Sequence, residues 1–201
     1  MTQTLPAGVR LISPPERPFL VLEARTTLIL DWDIYDPEKT ELVEASDTES
    51  GCCTITTGEE AVELLEAYND LNRDQLWAVY TTGNGVRALR LDKAFPTDHP
   101  SVNALVSILD PDALYVSSSI VREHWAARVS HKAGRAVEEI RFLKWVGDGT
   151  AMSQQWEVFK LHHELLLEHG LTAIPFSDLV EALETHLKVP SAESTPVYNA
   201  V

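Results

Sequence analysis

At 201 residues, 44% of them hydrophobic and 23% charged, the chain can bury one sizeable core and has a globular rather than a disordered composition. Its formal charge of −15 opposes non-specific attraction to nucleic acid, because phosphates repel an acidic surface at long range. No apolar run approaches the roughly 18 residues of a membrane span, and the start at Met1–Thr4 lacks a charged and apolar leader, so a cytoplasmic location is the expectation.

In chain order, the opening through Pro18 carries Pro6, Pro14, Pro15 and Pro18 and reads as irregular. Phe19 to Glu23 and Thr27 to Asp33 read as two short strands around a turn, and the acidic stretch from Asp36 to Gly51 as an exposed loop. Cys52 and Cys53 are neighbours, could close only a strained ring and are expected as free thiols. Thr57 is a plausible N-cap for a helix with Ala61, Leu64, Leu65 and Tyr68 at helical spacing, ending near Asn69 to Asn72. Trp77 to Thr82 and Val86 to Leu91 flank Gly83-Asn84-Gly85 and predict a hairpin.

Helices are expected over Ser101 to Leu109 and Asp112 to about His124, and strands over Trp125 to Val129 and Ile140 to Val146. Ser153 to about His169 and Phe176 to Leu187 read as two further helices, and 191–201 as a disordered tail. Strands mixed with helices around a central hairpin predict an α+β fold with a mixed or antiparallel sheet. The expected organisation is a core over 1–150 followed by a helical segment over 151–190, with no boundary sharp enough to demand two domains.

Asp31 and Asp33 end an apolar strand. With a side-chain period of two they face the same way, so they could share Mg²⁺ or Mn²⁺, or simply cap the loop that follows, with Asp36 nearby. In the hairpin, glycines allow close backbone approach, while Thr82 and Arg87 could donate to an anion; an ordinary surface hairpin is the alternative. Downstream, Arg128, Ser130, His131, Lys132, Gly134 and Arg135 could cradle a phosphate or form a solvated basic loop. This loop lies in an electropositive island: from Arg87 to Lys144 there are nine basic and seven acidic side chains, against seven and 24 elsewhere.

An apolar strand with Asp-x-Asp, a Thr-x-Gly-x-Gly-x-basic hairpin and a later aromatic-x-x-Arg-x-Ser-x-Lys-x-Gly-Arg resemble the archaeo-eukaryotic primase-polymerase superfamily over roughly residues 19 to 148. The resemblance implies catalytic metals at Asp31 and Asp33, the hairpin's nucleotide contact at Arg87, and phosphate contacts at Arg128, Lys132 and Arg135. Arg87 stands where that family carries a histidine, and Asp148 is the best match by position for its third acidic motif. Arginine stays charged and cannot act as a neutral imidazole, so a member that binds a nucleotide or nucleic-acid end without extending it is equally implied. If the chain is active, nucleotidyl transfer is the reaction.

The same chain also resembles the haloacid-dehalogenase-like phosphatases, which implies Asp31 as nucleophile, Asp33 as general acid or base and Asp148 as a metal ligand. A third expectation is a non-enzymatic interaction module that docks a protein through its acidic surface or terminal helices; an exposed stripe of Trp156, Phe159 and Leu166 would favour it. His162, His163 and His169 lack the i, i+4 spacing of a helical metal site. His162 and His169 are separated by roughly 10 Å, and all three read as exposed or half-buried.

Overall fold

The computed structural model describes residues 4–13, 19–34, 57–83, 85–131 and 139–188. In chain order the elements are β1 (Val9–Ile12), β2 (Val21–Ala24), β3 (Ile29–Asp33), α1 (Gly58–Leu71), β4 (Trp77–Thr82) and β5 (Gly85–Arg90). There follow α2 (Val102–Leu109), α3 (Ala113–Arg122), β6 (Trp125–Arg128), β7 (Arg141–Val146), α4 (Ser153–Glu168) and α5 (Phe176–Lys188). Among the described residues two antiparallel sheets, ordered β1-β2-β6 and β3-β5-β4-β7, with five helices make the fold α+β. Among the described residues no helix is long and apolar enough to cross a membrane.

One local reading changes. The proline-rich opening is not irregular throughout, because the stretch between Pro6 and Pro14 is free of proline and pairs as edge strand β1 with β2, Val9 opposite Ala24. β2 and β3 flank a short turn as expected, and they pair in different sheets. Between them Arg25 to Thr27 carry the chain from one sheet to the other, and buried Gln155 holds the crossing, its Oε1 accepting from Thr27 Oγ1 at 3.3 Å and its Nε2 donating to Thr26 O at 3.3 Å. A turn short enough for a hairpin can equally serve a change of sheet when a distant side chain satisfies its polar groups.

The central hairpin forms as its glycines suggest. Thr82 pairs with Gly85, leaving two residues to turn, and Gly85 has no room for a side chain: a Cβ would lie 1.8 Å from Trp32 O on the neighbouring strand. β5 is buried along its whole length and β4 over its first four residues, as expected of interior strands covered on both faces. Leu30, Ala88 and Val79 share one face in register, and Asp31, Arg87 and Tyr80 share the other.

α1 covers the Leu30 face. Thr57 and Glu60 close a reciprocal capping box at 3.1 Å each, satisfying two backbone donors at the helix start. Gly58 approaches Val86 and Ile34, while Ala61 and Leu65 are fully buried. α4 covers the other face. Phe159, Leu161, Leu165 and Leu166 join the sheet residues in one core, and Trp145, Trp156, Phe159 and Phe176 interlock at ring-centroid distances of 5.3 to 6.3 Å. Phe159 and Leu166 are fully buried, so the stripe that would have favoured a docking helix is interior.

α3 ends at Arg122 rather than His124, because Glu123 adopts a left-handed conformation with φ 57°. At its start Asp112 caps the helix by accepting from Tyr115 N, and the Tyr115 hydroxyl donates to Ile29 O at 2.8 Å and lies 3.0 Å from Ala126 O. Ile29 lies on β3 and Ala126 on β6. One tyrosine therefore ties the facing edges of the two sheets, which positions everything at that junction.

Candidate functional site

Register alone assembles the centre of the site. Asp31 pairs with Arg87, and Arg87 pairs with Tyr80, so three polar side chains form one row across β3, β5 and β4. Arg87 Nε donates to one oxygen of Asp31 at 2.7 Å and a terminal nitrogen donates to the other at 2.9 Å; the remaining terminal nitrogen donates to Arg128 O at 3.0 Å. The planar fork thus binds a carboxylate on β3 and a carbonyl on β6 at once, a geometry lysine cannot copy.

The Arg87 side chain is 7% exposed and that of Asp31 21%. Burial disfavours the guanidinium charge, but the attraction and hydrogen bonds of Asp31 outweigh it, with Tyr115 and Asp33 adding, so Arg87 is held charged more firmly than a free arginine. Burial, reinforced by Asp31, raises the Tyr115 hydroxyl far above its ordinary range, and burial does the same to Tyr80 against the opposing charge of Arg87. Both tyrosines are neutral donors at any physiological pH.

Asp33 and Thr82 lie one row further on, both paired with Gly85, on the same sheet face as Asp31 and Arg87. Asp33 is exposed and Thr82 half-buried. Arg128 ends β6, its carbonyl fixed by Arg87. Asp31, Asp33, Thr82, Arg87 and Arg128 therefore gather at one end of the four-stranded sheet, where it meets β6. Ser130 follows β6, but its Oγ accepts from Leu20 N at 2.6 Å and serves to close the strand end. Lys132 and Arg135 lie outside the described residues, as do Asp36, Cys52 and Cys53.

Asp148 is not brought to this cluster. It follows Val146, which pairs with Trp77 at the opposite end of β4, roughly 16 Å of extended strand from Thr82. Gly147 and Gly149 on either side of it are packing positions: Gly147 has φ 87°, and added Cβ atoms would lie 2.2 Å from Gln75 O and 2.3 Å from Asp74 O respectively. Gly149 N donates to Gln75 O at 2.8 Å, and the His186 ring bonds Gly147 O at 2.7 Å. The Gly-Asp-Gly signal thus records a close crossing of two loops.

Sequence reasoning missed the third member of the row and what lies beneath it. Tyr80 was recoverable, because a two-residue turn between Thr82 and Gly85 fixes Tyr80 opposite Arg87. His162 and His163 were expected at or near the surface, yet both are fully buried on the sheet-facing side of α4. His163 Nε2 donates to Ile174 O at 2.7 Å, which leaves its Nδ1 to accept from the Tyr80 hydroxyl at 3.1 Å. His162 packs edge-on to the Tyr80 ring at 5.3 Å, with neither ring nitrogen hydrogen-bonded among the described residues. Burial, then the charges of Arg87 and His163, pushes His162 well below the usual histidine range; burial lowers His163 against the opposing Ile174 carbonyl and Glu164. The interior below Arg87 is neutral.

Both oxygens of Asp31 accept from Arg87, so a divalent ion shared by Asp31 and Asp33 would sit beside a guanidinium. Among the described residues no group of three or more His, Cys, Asp or Glu side chains is placed to hold an ion. No family model, no curated protein and no solved structure matches the chain.

Proposed function

We propose that the junction of β3, β5 and β6 binds the phosphates of a nucleotide or of a nucleic-acid end. Support comes from the gathering of Asp31, Asp33, Thr82, Arg87 and Arg128 at one sheet end, directly before the segment that carries Lys132 and Arg135. Arg87 is a fixed structural cation, already neutralised by Asp31; Arg128, Lys132 and Arg135 would supply the phosphate contacts, with Thr82 as a hydroxyl donor. Mg²⁺ or Mn²⁺ would enter with the phosphates and be balanced by Asp33, as magnesium is commonly bound through one or two carboxylates and substrate oxygens. The overall charge of −15 restricts the ligand to a small phosphate group or strand end rather than a duplex surface.

This proposed role ends at binding. The primase-polymerase resemblance supplies the phosphate chemistry, while both oxygens of Asp31 already accept from Arg87. A phosphatase using Asp31 as nucleophile would require Asp148 nearby, and the sheet separates them. Paramagnetic resonance of Mn²⁺ tests the proposal: adding the protein to Mn²⁺ and a nucleoside triphosphate should deplete the signal of the free complex, and Asp33→Asn should weaken the effect. An unchanged signal at high protein concentration would refute it.

A further inference from the structure

A second feature lies at the far end of β5 from the phosphate site, where Arg90 pairs with Trp77 and the chain leaves the sheet through Asp92 and Lys93. Phe95 is the fixed point of this turn. Its amide donates to Thr26 O and its carbonyl accepts from the Trp125 indole, each at 2.7 Å, and its side chain is buried. Two cations share that ring: the Arg90 guanidinium carbon and Lys93 Nζ each lie 5.5 Å from its centroid, and His99 stacks on it at 4.2 Å. The carboxylate next to Lys93 in the chain is taken by Arg90. Asp92 accepts from its Nε at 2.9 Å and from a terminal nitrogen at 3.0 Å, and also from Leu76 N at 3.2 Å.

The other described lysines are all paired. Lys144 bonds Glu66, Lys160 lies 3.9 Å from Glu164, and Lys188 lies 3.6 Å from Glu184. Lys93 has an aromatic ring and a second cation as neighbours, and makes no ion pair with a described carboxylate. An ion pair holds an amine protonated, whereas burial and a nearby like charge favour its neutral form. Burial and then the charge of Arg90 lower the Lys93 ammonium below the ordinary lysine range, with Asp92 opposing. The neutral amine carries the lone pair that an electrophile needs. The side chain is exposed, so a small reagent reaches it.

We propose that Lys93 is an acylation site, the lysine of this fold that takes an acyl group from a small acyl phosphate. Its neutral Nζ attacks the acyl carbonyl carbon, and the bond from that carbon to the phosphate oxygen breaks. Inorganic phosphate leaves with the electron pair, a proton passes from Nζ to solvent, and an amide remains. An anionic donor suits the position. Lys93 lies in the stretch from Arg87 to Lys144, where basic side chains outnumber acidic ones by nine to seven, while the rest of the chain is strongly acidic and repels anions.

The test treats the full chain, folded and unfolded in guanidinium chloride, briefly with acetyl phosphate at about pH 8, where ordinary lysines are mostly protonated. Remaining amines are capped with deuterated acetic anhydride after unfolding, and peptide mass spectrometry reads the light fraction at each lysine. Each lysine is then its own reference, and exposure alone cannot raise a rate above that of the unfolded chain. Lys93 should react at least about twofold faster in the folded chain, because its surroundings favour the free amine. Lys144, Lys160 and Lys188 should react no faster folded than unfolded, since a carboxylate lies beside each. A Lys93 that reacts no faster on folding, or that gains no more than Lys160 and Lys188, would overturn the proposal.

Discussion

Arg87 holds both carboxylate oxygens of Asp31, at 2.7 and 2.9 Å, and so separates two aspartates that look equivalent in the sequence. Asp31 becomes half of a largely buried ion pair, while Asp33, one row further along the same face, stays exposed.

That pairing sets the first prediction. Removing one partner leaves a buried charge uncompensated, which typically costs about 3–5 kcal/mol. Asp31→Ala strands the 7% exposed guanidinium, and Arg87→Met strands the wetter carboxylate. The double variant leaves neither, so urea denaturation should show it at least about 2 kcal/mol more stable than the sum of the single losses implies. Losses that simply add would mean the pair is not coupled.

Acid sensitivity is the second. His162 and His163 have lowered affinities for protons in the folded chain, whereas the unfolded chain protonates them near pH 6.5. Stability is therefore complete above about pH 7.5 and falls as pH drops through about 6.5, with a slope approaching about 1.4 kcal/mol per pH unit for each ring. Denaturation between pH 7.5 and 5 should show this, and His162→Phe, which keeps the ring packed on Tyr80, should flatten the slope by about half. An unaltered slope would place the titration elsewhere.

Glycine positions give a third. Gly147→Ala meets Gln75 O and forces φ 87° on a residue with a Cβ, so it should cost more than about 2 kcal/mol. Gly170, with φ 66° and nothing within 4 Å, faces only the backbone preference, so Gly170→Ala should cost about 1 kcal/mol. Thermal melts of the two variants should rank in that order.

Tyr115 offers a fourth, because its hydroxyl bridges β3 and β6. Tyr115→Phe removes the donor to Ile29 O and the acceptor of Ala126 N, and should cost about 1–3 kcal/mol. Amide exchange should quicken first in β6, an edge strand of the smaller sheet.

Much of this architecture can be read from local pattern. The capping box at Thr57 and Glu60, the hairpin around Gly85 and the aromatic spacing of α4 each announce their element through nearby residues. The failures are non-local. Nothing near Arg25 to Thr27 says that the chain changes sheets there, since Gln155 supplies the hydrogen bonds from far along the sequence. His162 and His163 look like surface residues of a polar helix until Tyr80 and Ile174 are seen to surround them. Asp148 sits between two glycines as a phosphate or metal loop would, and only the approach of Gln75 and Asp74 reveals packing. For the site itself, alternation placed Asp31 and Asp33 on one face correctly. That one of them would be claimed by Arg87 depended on strand register, which the two-residue turn fixes only for β4 and β5.

Calorimetric titration of a nucleoside triphosphate with Mn²⁺ into the wild-type chain and into Arg128→Gln tests the phosphate site most directly. The variant keeps the Arg128 carbonyl that Arg87 needs while removing the side-chain charge. Saturable binding by the wild type is expected, weakened about tenfold or more in Arg128→Gln, as follows from loss of one charge-assisted phosphate contact. No heat with any triphosphate, or equal affinity in the two proteins, would contradict it.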